Sequence, residues 1–575
     1  MSFETLRDSD DVFDALVIGS GVTGGWAAKE FCERGYRTLM IERGPLVEHR
    51  KDYPHESKPP WDMPQRGRVP LAEAEQRQAV QKNCYAYNDF NRQFFGDDRD
   101  LPYSTASGTR FTWYRGNQLG GKSLIWARQS YRLSEFDFEA NAKDGHGNDW
   151  PLRYADLAPW YAHVERHAGI SGARDGLPQI PDSESLPPFD MTAPERAIGE
   201  RIEAAFPDRN FVIGRTANLS QPTQLHLEQG RVACQARTEC DRGCSFGAYF
   251  STQSSTLPAA ARTGKLAIAP NSVVHSLIFD EASGRVRGVR VIDADDRSER
   301  RYFGRVVFLC ASTLGSTQLL LHSTSRSFPT GLANRSGVLG RYLMDHNYNA
   351  FISARVPGFE DAYYRGRRPT GIYVPNFHYE PGRYHRDFQR GYALGGSAYR
   401  VSNWRGGAAR DGFGADFKEA LTGTGDWGFN FYAQGEMLPR AENQVTLHPS
   451  NKDKWGIPQL HFDVRWSDNE RRMMESAAEE GTAMMRAAGL EAIEAHVQDG
   501  APGAGIHEMG TARMGRDPAS SVFNGFNQAH DIDNLFCTDG SVFCSSATQN
   551  PSLTYMALTA RAVAYAVDEM KNRRI

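Results

Sequence analysis

Val12-Phe13-Asp14-Ala15-Leu16-Val17-Ile18-Gly19-Ser20-Gly21-Val22-Thr23-Gly24 decides the fold, because a continuous apolar run is broken there by a glycine-rich turn. A run of this kind bounded by Gly19 reads as a strand buried on both faces. A helix is expected from about Thr23. It should stop at Arg34-Gly35, where a basic last turn meets the residue that best tolerates a left-handed cap. Thr38 to Glu42 then reads as a second strand, completing one βαβ unit. In the G-x-G-x-x-G turn, Gly19 and Gly21 permit a tight bend and close approach of backbone to a pyrophosphate, while Gly24 lets helix pack on strand. The backbone around Ser20, Val22 and Thr23 would face the phosphates at the positive end of the helix. Glu42, about 20 residues beyond the last glycine, is placed to hold a ribose hydroxyl. With strand, helix and acid all present, a merely tight turn is the weaker reading. The motif does not choose between NAD and FAD.

Working outward, 575 residues exceed the roughly 250–300 that one core supports, so at least two domains sharing a long interface are expected. A composition of 40% hydrophobic and 24% charged residues, with a formal net charge of −4, describes an ordinary globular protein and not a nucleic-acid binder. No apolar run approaches the roughly 18 residues of a membrane span, and the start has neither a basic n-region nor an apolar h-region. Eight cysteines are too few for a disulfide scaffold, yet three crowd between Cys234 and Cys244.

From Pro45 to about Arg99 the chain is polar and aperiodic, which suggests a long excursion or lid. Lys265 to Asp295 reads as a hairpin-containing meander turning at Glu281-Ala282-Ser283-Gly284, and Arg305 to Ala311 as a returning buried strand. Alternation in Phe351 to Val356, Gly371 to His378 and Gly428 to Gln434 points to a separate, largely antiparallel sheet, the candidate substrate domain. Ser552 to Met570 has helical apolar spacing and should return to the first domain.

Three further stretches resemble the glucose-methanol-choline (GMC) oxidoreductases, a flavoprotein family: Arg115-Gly116-Asn117-Gln118-Leu119-Gly120-Gly121-Lys122-Ser123; His507-Glu508-Met509-Gly510-Thr511-Ala512-Arg513-Met514-Gly515; and Asp539-Gly540-Ser541 with Asn550-Pro551-Ser552-Leu553-Thr554. Asn334 and the stretch from Gly340-Arg341 to Asp345-His346 are most similar to the branch of pyranose oxidases and bacterial sugar dehydrogenases. The resemblance implies an α/β FAD-binding Rossmann-like domain and a substrate domain with a largely antiparallel sheet. It implies FAD contacts at Arg43, Arg115, Gly120, Gly121, Ser123, Val274, Ala311, Asp539, Gly540, Asn550, Pro551 and Thr554, beside those of the first turn. In pyranose oxidase a histidine before Trp attaches FAD; here Ile125 precedes Trp126, so FAD is expected to be held without a covalent bond. The FAD-binding domain would comprise residues 1–48, 100–135, 230–345 and 500–575, the lid 49–99, and the substrate domain 136–229 and 346–499.

Oxidising an alcohol needs a base for the hydroxyl proton while hydride leaves carbon, and neutral histidine suits that task near pH 7. His507 occupies the family's catalytic histidine position, and Asn550 the position that is His or Asn among relatives. His507 is therefore assigned as base and Asn550 as the donor that orients the hydroxyl and stabilises the developing alkoxide. Pro551 marks the start of a helix whose positive end would face the flavin.

Cys234-x5-Cys240-x3-Cys244, followed by Ser245-Phe246-Gly247-Ala248, resembles the stretch that carries a three-iron, four-sulfur (3Fe-4S) cluster in bacterial FAD-dependent glucose dehydrogenases, with Ser245 in place of their Pro. A zinc site completed by histidine and three free thiols are the alternatives. A one-electron centre would favour a dehydrogenase over an oxidase. The resemblance further implies a small signal-bearing subunit, a c-type cytochrome acceptor, and periplasmic location by co-export, or cytoplasmic location without such a partner. Gly19 through Gly44, Glu48-His49 to Asp52-Tyr53, and Cys234 to Leu257 look most like glucoside 3-dehydrogenase large subunits, implying oxidation of C3 of glucose or glucosides. Glucose C1, gluconate C2, other polyols, an oxygen-using pyranose oxidase and a non-catalytic binder remain alternatives.

Overall fold

The apolar run Val12–Ile18 forms a parallel strand between Thr38–Ile41 on one side and Glu299–Leu309 on the other, with Ile18 level with Ile41 and Leu309. It lies inside a seven-stranded sheet ordered Leu266–Ala269, Thr38–Ile41, Val12–Ile18, Glu299–Leu309, Arg285–Asp293, Ser272–Asp280, with Leu535–Cys537 also pairing with Glu299–Leu309. This computed structural model describes residues 3–7, 11–237, 239–362, 368–378, 387–400, 412–421 and 425–575. Parts of the candidate substrate domain between 346 and 499 fall outside them.

The helix Val22–Glu33 follows the turn as expected, and Gly35 is left-handed at φ 88° just past its end. Its inner face, Trp26, Ala27, Ala28 and Phe31, is fully buried, with Phe31 edge-on to Phe308 at 5.0 Å. Burying a side chain such as Phe31 contributes about 1.5–3 kcal/mol. The same helix packs against the closing helix Ser552–Lys571, which brings the end of the sequence back to its beginning. The expected hairpin is Ser272–Asp280 against Arg285–Asp293.

A six-stranded sheet, ordered Glu491–Val497, Ala350–Val356, Trp427–Gly435, Tyr392–Arg400, Ile372–Val374, Val212–Ile213, carries the three strands expected from alternation, and its pairs are antiparallel. Helix Asp468–Ala487 covers it, starting at a capping box in which Ser467 and Glu470 exchange hydrogen bonds, and burying Met473, Met474, Ala477, Met484 and Met485.

A third sheet was not anticipated: Met509–Thr511, Arg341–Met344, Gln444–Lys452, Pro458–Asp463 and Ser104–Thr105 join in that order. Pairing of Met509 with Met344 sets the residues just before Met509 beside those just after Met344. That register brings His507 to His346. Among the described residues no helix is long and apolar enough to cross a membrane.

Candidate active site

One cavity of about 1740 Å³ runs from the glycine-rich turn to the six-stranded sheet, and Gly19, Ser20, Gly21, Val22, Thr23, Glu42 and Arg43 line its first end. Gly19 is left-handed at φ 97°, and a Cβ there would lie 2.4 Å from the carbonyl oxygen of Cys310. Gly24 does not line the cavity; a Cβ on it would lie 2.0 Å from the Gly19 oxygen, so this glycine serves packing. Glu42 accepts hydrogen bonds from Ser20 and from the Gly44 N–H at 2.9 Å, and burial raises its pKa. The Ser20 hydroxyl in turn accepts the Gly120 N–H at 2.8 Å. Gly120 thus braces the turn from behind, while Gly121 and Ser123 reach the cavity.

Arg115 lines the cavity, but its guanidinium is spent on Asp98 and the Leu101 carbonyl and lies 4.6 Å from the Trp113 ring centre, tying residues 98–101 to this loop. Val274, Ala311, Asp539, Gly540, Asn550 and Pro551 also line the cavity. Asp539 accepts from the hydroxyls of Ser541 and Ser316. Thr554 does not reach the cavity; its hydroxyl lies 2.8 Å from that of Tyr161 on the other side of the helix. His275, Gln318 and Ile457 line the cavity with Val274 and carried no signal in the sequence.

The cavity suits a bound dinucleotide on three counts. A Cβ built on Gly21 would meet nothing within 4 Å, leaving open space over the turn. Helices Val22–Glu33 and Ser552–Lys571 both start without a side-chain cap, so their first N–H groups are available to an anion. Both starts lie on the cavity wall.

At the other end, Asp345 accepts the N–H groups of Gly503 at 2.8 Å, Gly505 at 2.9 Å and His507 at 3.0 Å, fixing the loop that presents His507. Burial and the nearby Glu508 charge push the Asp345 pKa up to about 7, against N–H donors that favour its charged form. His346 is fully buried, with Nε2 at 2.8 Å from the Ala547 oxygen and 3.1 Å from the Ser546 oxygen. Carbonyl oxygens only accept, so Nε2 of His346 carries the hydrogen and its Nδ1 is a lone pair. That lone pair faces the Gln434 amide at 3.2 Å and Nδ1 of His507 at 2.8 Å. His507 therefore holds its proton on Nδ1, and its Nε2 is the bare, basic nitrogen. The Asn550 amide nitrogen stands 3.5 Å from that Nε2, and its Oδ1 is buried with no partner among the described residues. Structure thus joins the two residues assigned as a pair, and adds His346, for which the sequence suggested no role.

The segment that carries these carbonyls is itself held. Glu436, buried in an ion pair with Arg390, accepts the Ala547 N–H at 3.2 Å, and the Met437 N–H donates to the Ser546 hydroxyl at 3.1 Å. Burial lowers the pKa of His507 well below its ordinary value, helped by His346 and Lys122, so the base is neutral at pH 7.

His346→Leu frees His507 to take the other tautomer and is expected to slow flavin reduction about 10- to 100-fold with FAD retained. An unchanged stopped-flow rate would reject the relay. Burial depresses the His346 pKa to about 4. The unfolded chain binds that proton near pH 6.5, so this contribution to stability is intact above pH 6.5 and lost as pH falls toward 4, on the order of 3 kcal/mol. The melting temperature of wild type should accordingly fall more steeply across that window than that of His346→Leu.

Cys234, Cys240 and Cys244 line one small cavity, and Cys240 also borders the large one. Arg237 approaches the Cys244 sulfur at 4.0 Å, and Arg128 donates to the Cys240 carbonyl at 3.2 Å. Among the described residues no group of three or more His, Cys, Asp or Glu is placed to hold a metal ion; the three thiols share one small pocket.

Family models described as GMC oxidoreductase match residues 13–348 and 439–559, most of the chain. The chain belongs to the GMC oxidoreductases. It is an FAD-dependent enzyme acting on CH–OH groups. This GMC oxidoreductase is 29% identical to 2-methyl-1,2-propanediol dehydrogenase of Mycolicibacterium austroafricanum, over 97% of this chain and 96% of that one. It is 26% identical to the fructose dehydrogenase large subunit of Gluconobacter japonicus, over 99% and 100%. Pyridoxine 4-oxidase from Mesorbium loti shares the fold with a TM-score of 0.59 at 18% identity, covering 97% of this chain and 99% of that one.

Proposed function

We propose that this enzyme is a dehydrogenase that oxidises a secondary hydroxyl of a sugar or glycoside, with C3 of a glucose unit, giving the 3-keto sugar, as the preferred position. The observation that carries the alcohol chemistry is the bare Nε2 of His507 beside Asn550 on a cavity wall. FAD, when bound, supplies the acceptor for the hydride leaving carbon. His507 takes the hydroxyl proton on Nε2 as the C–H bond breaks, so the substrate loses two electrons and two protons: one proton goes to His507, and the other leaves carbon with both electrons as hydride. Asn550 orients the hydroxyl from its amide. Desolvation of the imidazole keeps it unprotonated and ready.

A sugar substrate is supported by the chamber beyond this pair, where Tyr348 lies 6.0 Å from His507 and 5.9 Å from Tyr432, ring centre to ring centre. Such rings offer flat apolar faces with polar rims. The similarity to a fructose dehydrogenase large subunit, and at 24% identity to the gluconate 2-dehydrogenase flavoprotein of Pantoea cypripedii, points the same way. Preference for C3 rests on the resemblance of residues 19–53 and 234–257 to glucoside 3-dehydrogenase large subunits.

The three cysteines are proposed as the residues that would hold a 3Fe-4S cluster, which would supply a one-electron relay toward a c-type cytochrome, with a small signal-bearing subunit bringing the enzyme to the periplasm. Their shared cavity and the position of Cys240 on the wall of the large one support an exit there. Iron and acid-labile sulfide in protein purified without oxygen test this; zinc or bare thiols would reject it. For the main reading, anaerobic incubation with glucose, methyl glucoside, gluconate and trehalose should bleach the flavin and yield a ketone at C3. Bleaching by none of them rejects a sugar substrate, and stoichiometric peroxide in air would favour an oxidase.

A further inference from the structure

We propose that Gln129 and Thr370, with Tyr432, form a subsite for a substrate hydroxyl other than the one oxidised, so that the enzyme selects polyhydroxylated substrates. This deepens the reading above and rests on it. Two side-chain acceptors on the wall of the large cavity are buried without a hydrogen-bond partner among the described residues: Oε1 of Gln129 and Oγ1 of Thr370. Orphaned buried oxygens of this kind cost stability unless something supplies a donor.

The amide of Gln129 is not free to turn away. Its Nε2 donates to the Tyr432 hydroxyl at 2.9 Å, which orients Oε1, and its backbone pairs with Thr216. Thr370 belongs to the same patch: a Cβ on Gly214, two residues from Thr216, would lie 2.5 Å from its Oγ1. Tyr432 is linked to the base through Tyr348 by two ring contacts of 5.9 and 6.0 Å. Gln129, Thr370, Tyr432 and His507 all line the same cavity. An amide oxygen and a hydroxyl carry no charge. The amide oxygen accepts an O–H group and the threonine hydroxyl can accept or donate one, so together they suit a second hydroxyl on a ring or chain.

The subsite predicts a specific coupling between one side chain and one substrate hydroxyl. Flavin reduction rates would be measured for wild type, Gln129→Leu and Thr370→Val with glucose and its 2-, 3-, 4- and 6-deoxy forms. In wild type, removal of one non-reacting hydroxyl should slow reduction about tenfold, the effect of one lost hydrogen bond. In either variant that penalty should vanish, while penalties at other positions persist. A merely structural role would slow every sugar by the same factor and leave the penalties unchanged, overturning the subsite alone. If wild type is reduced by none of these sugars, the sugar reading falls and the subsite with it. A visible spectrum matching wild type shows that each variant keeps its FAD.

Discussion

His507→Ala should retain FAD and its visible spectrum yet be reduced by substrate about 10²- to 10⁴-fold more slowly, the usual value of a positioned base. The imidazole touches no part of the glycine-rich turn, so cofactor binding has no reason to suffer. What is lost is the one bare nitrogen that the His346 contact leaves facing the cavity. The residual rate should rise with pH, because solvent hydroxide can then replace the missing base. Stopped-flow bleaching at wild-type speed would remove His507 from the mechanism altogether.

Gly24→Ala is expected to yield colourless protein that does not take up FAD on reconstitution. A Cβ at this position would stand 2.0 Å from the Gly19 oxygen, a contact only backbone movement can relieve. Moving either element disturbs Gly19, where a further Cβ would lie 2.4 Å from the Cys310 oxygen, leaving the turn no slack. The helix start then shifts from the place its N–H groups need to occupy. Normal flavin content, read from the absorbance ratio of flavin to protein, would show that the turn tolerates the displacement.

The nucleotide sheet was legible because its central strands are buried on both faces and write unbroken apolar runs, as in Val12–Ile18. Helix Asp468–Ala487 was missed although its Met and Ala residues recur at helical spacing against a charged face, a pattern that was there to be read. The third sheet, by contrast, was illegible: Ser104–Thr105 is two residues long and pairs with His461 and Phe462, far away in the chain. His507 and Asn550 could be named through the family resemblance, but the tautomer of His507 could not. It depends on backbone oxygens at 546 and 547 acting through His346, and backbone oxygens leave no mark in a sequence. Thr554 illustrates a further limit, since motif position does not say which side of a helix looks inward: Ser552 and Tyr555 line the cavity while Thr554 turns to Tyr161.

The packing of Ser552–Lys571 against Val22–Glu33 has a consequence for biosynthesis. The phosphate turn emerges from the ribosome long before Asn550, Pro551 and the helix that buttresses them. A nascent chain thus carries half a binding site until that helix is made. Stable capture of the flavin must await synthesis of Ser552–Lys571, and removing that helix should cost the protein its cofactor as surely as damage to the turn.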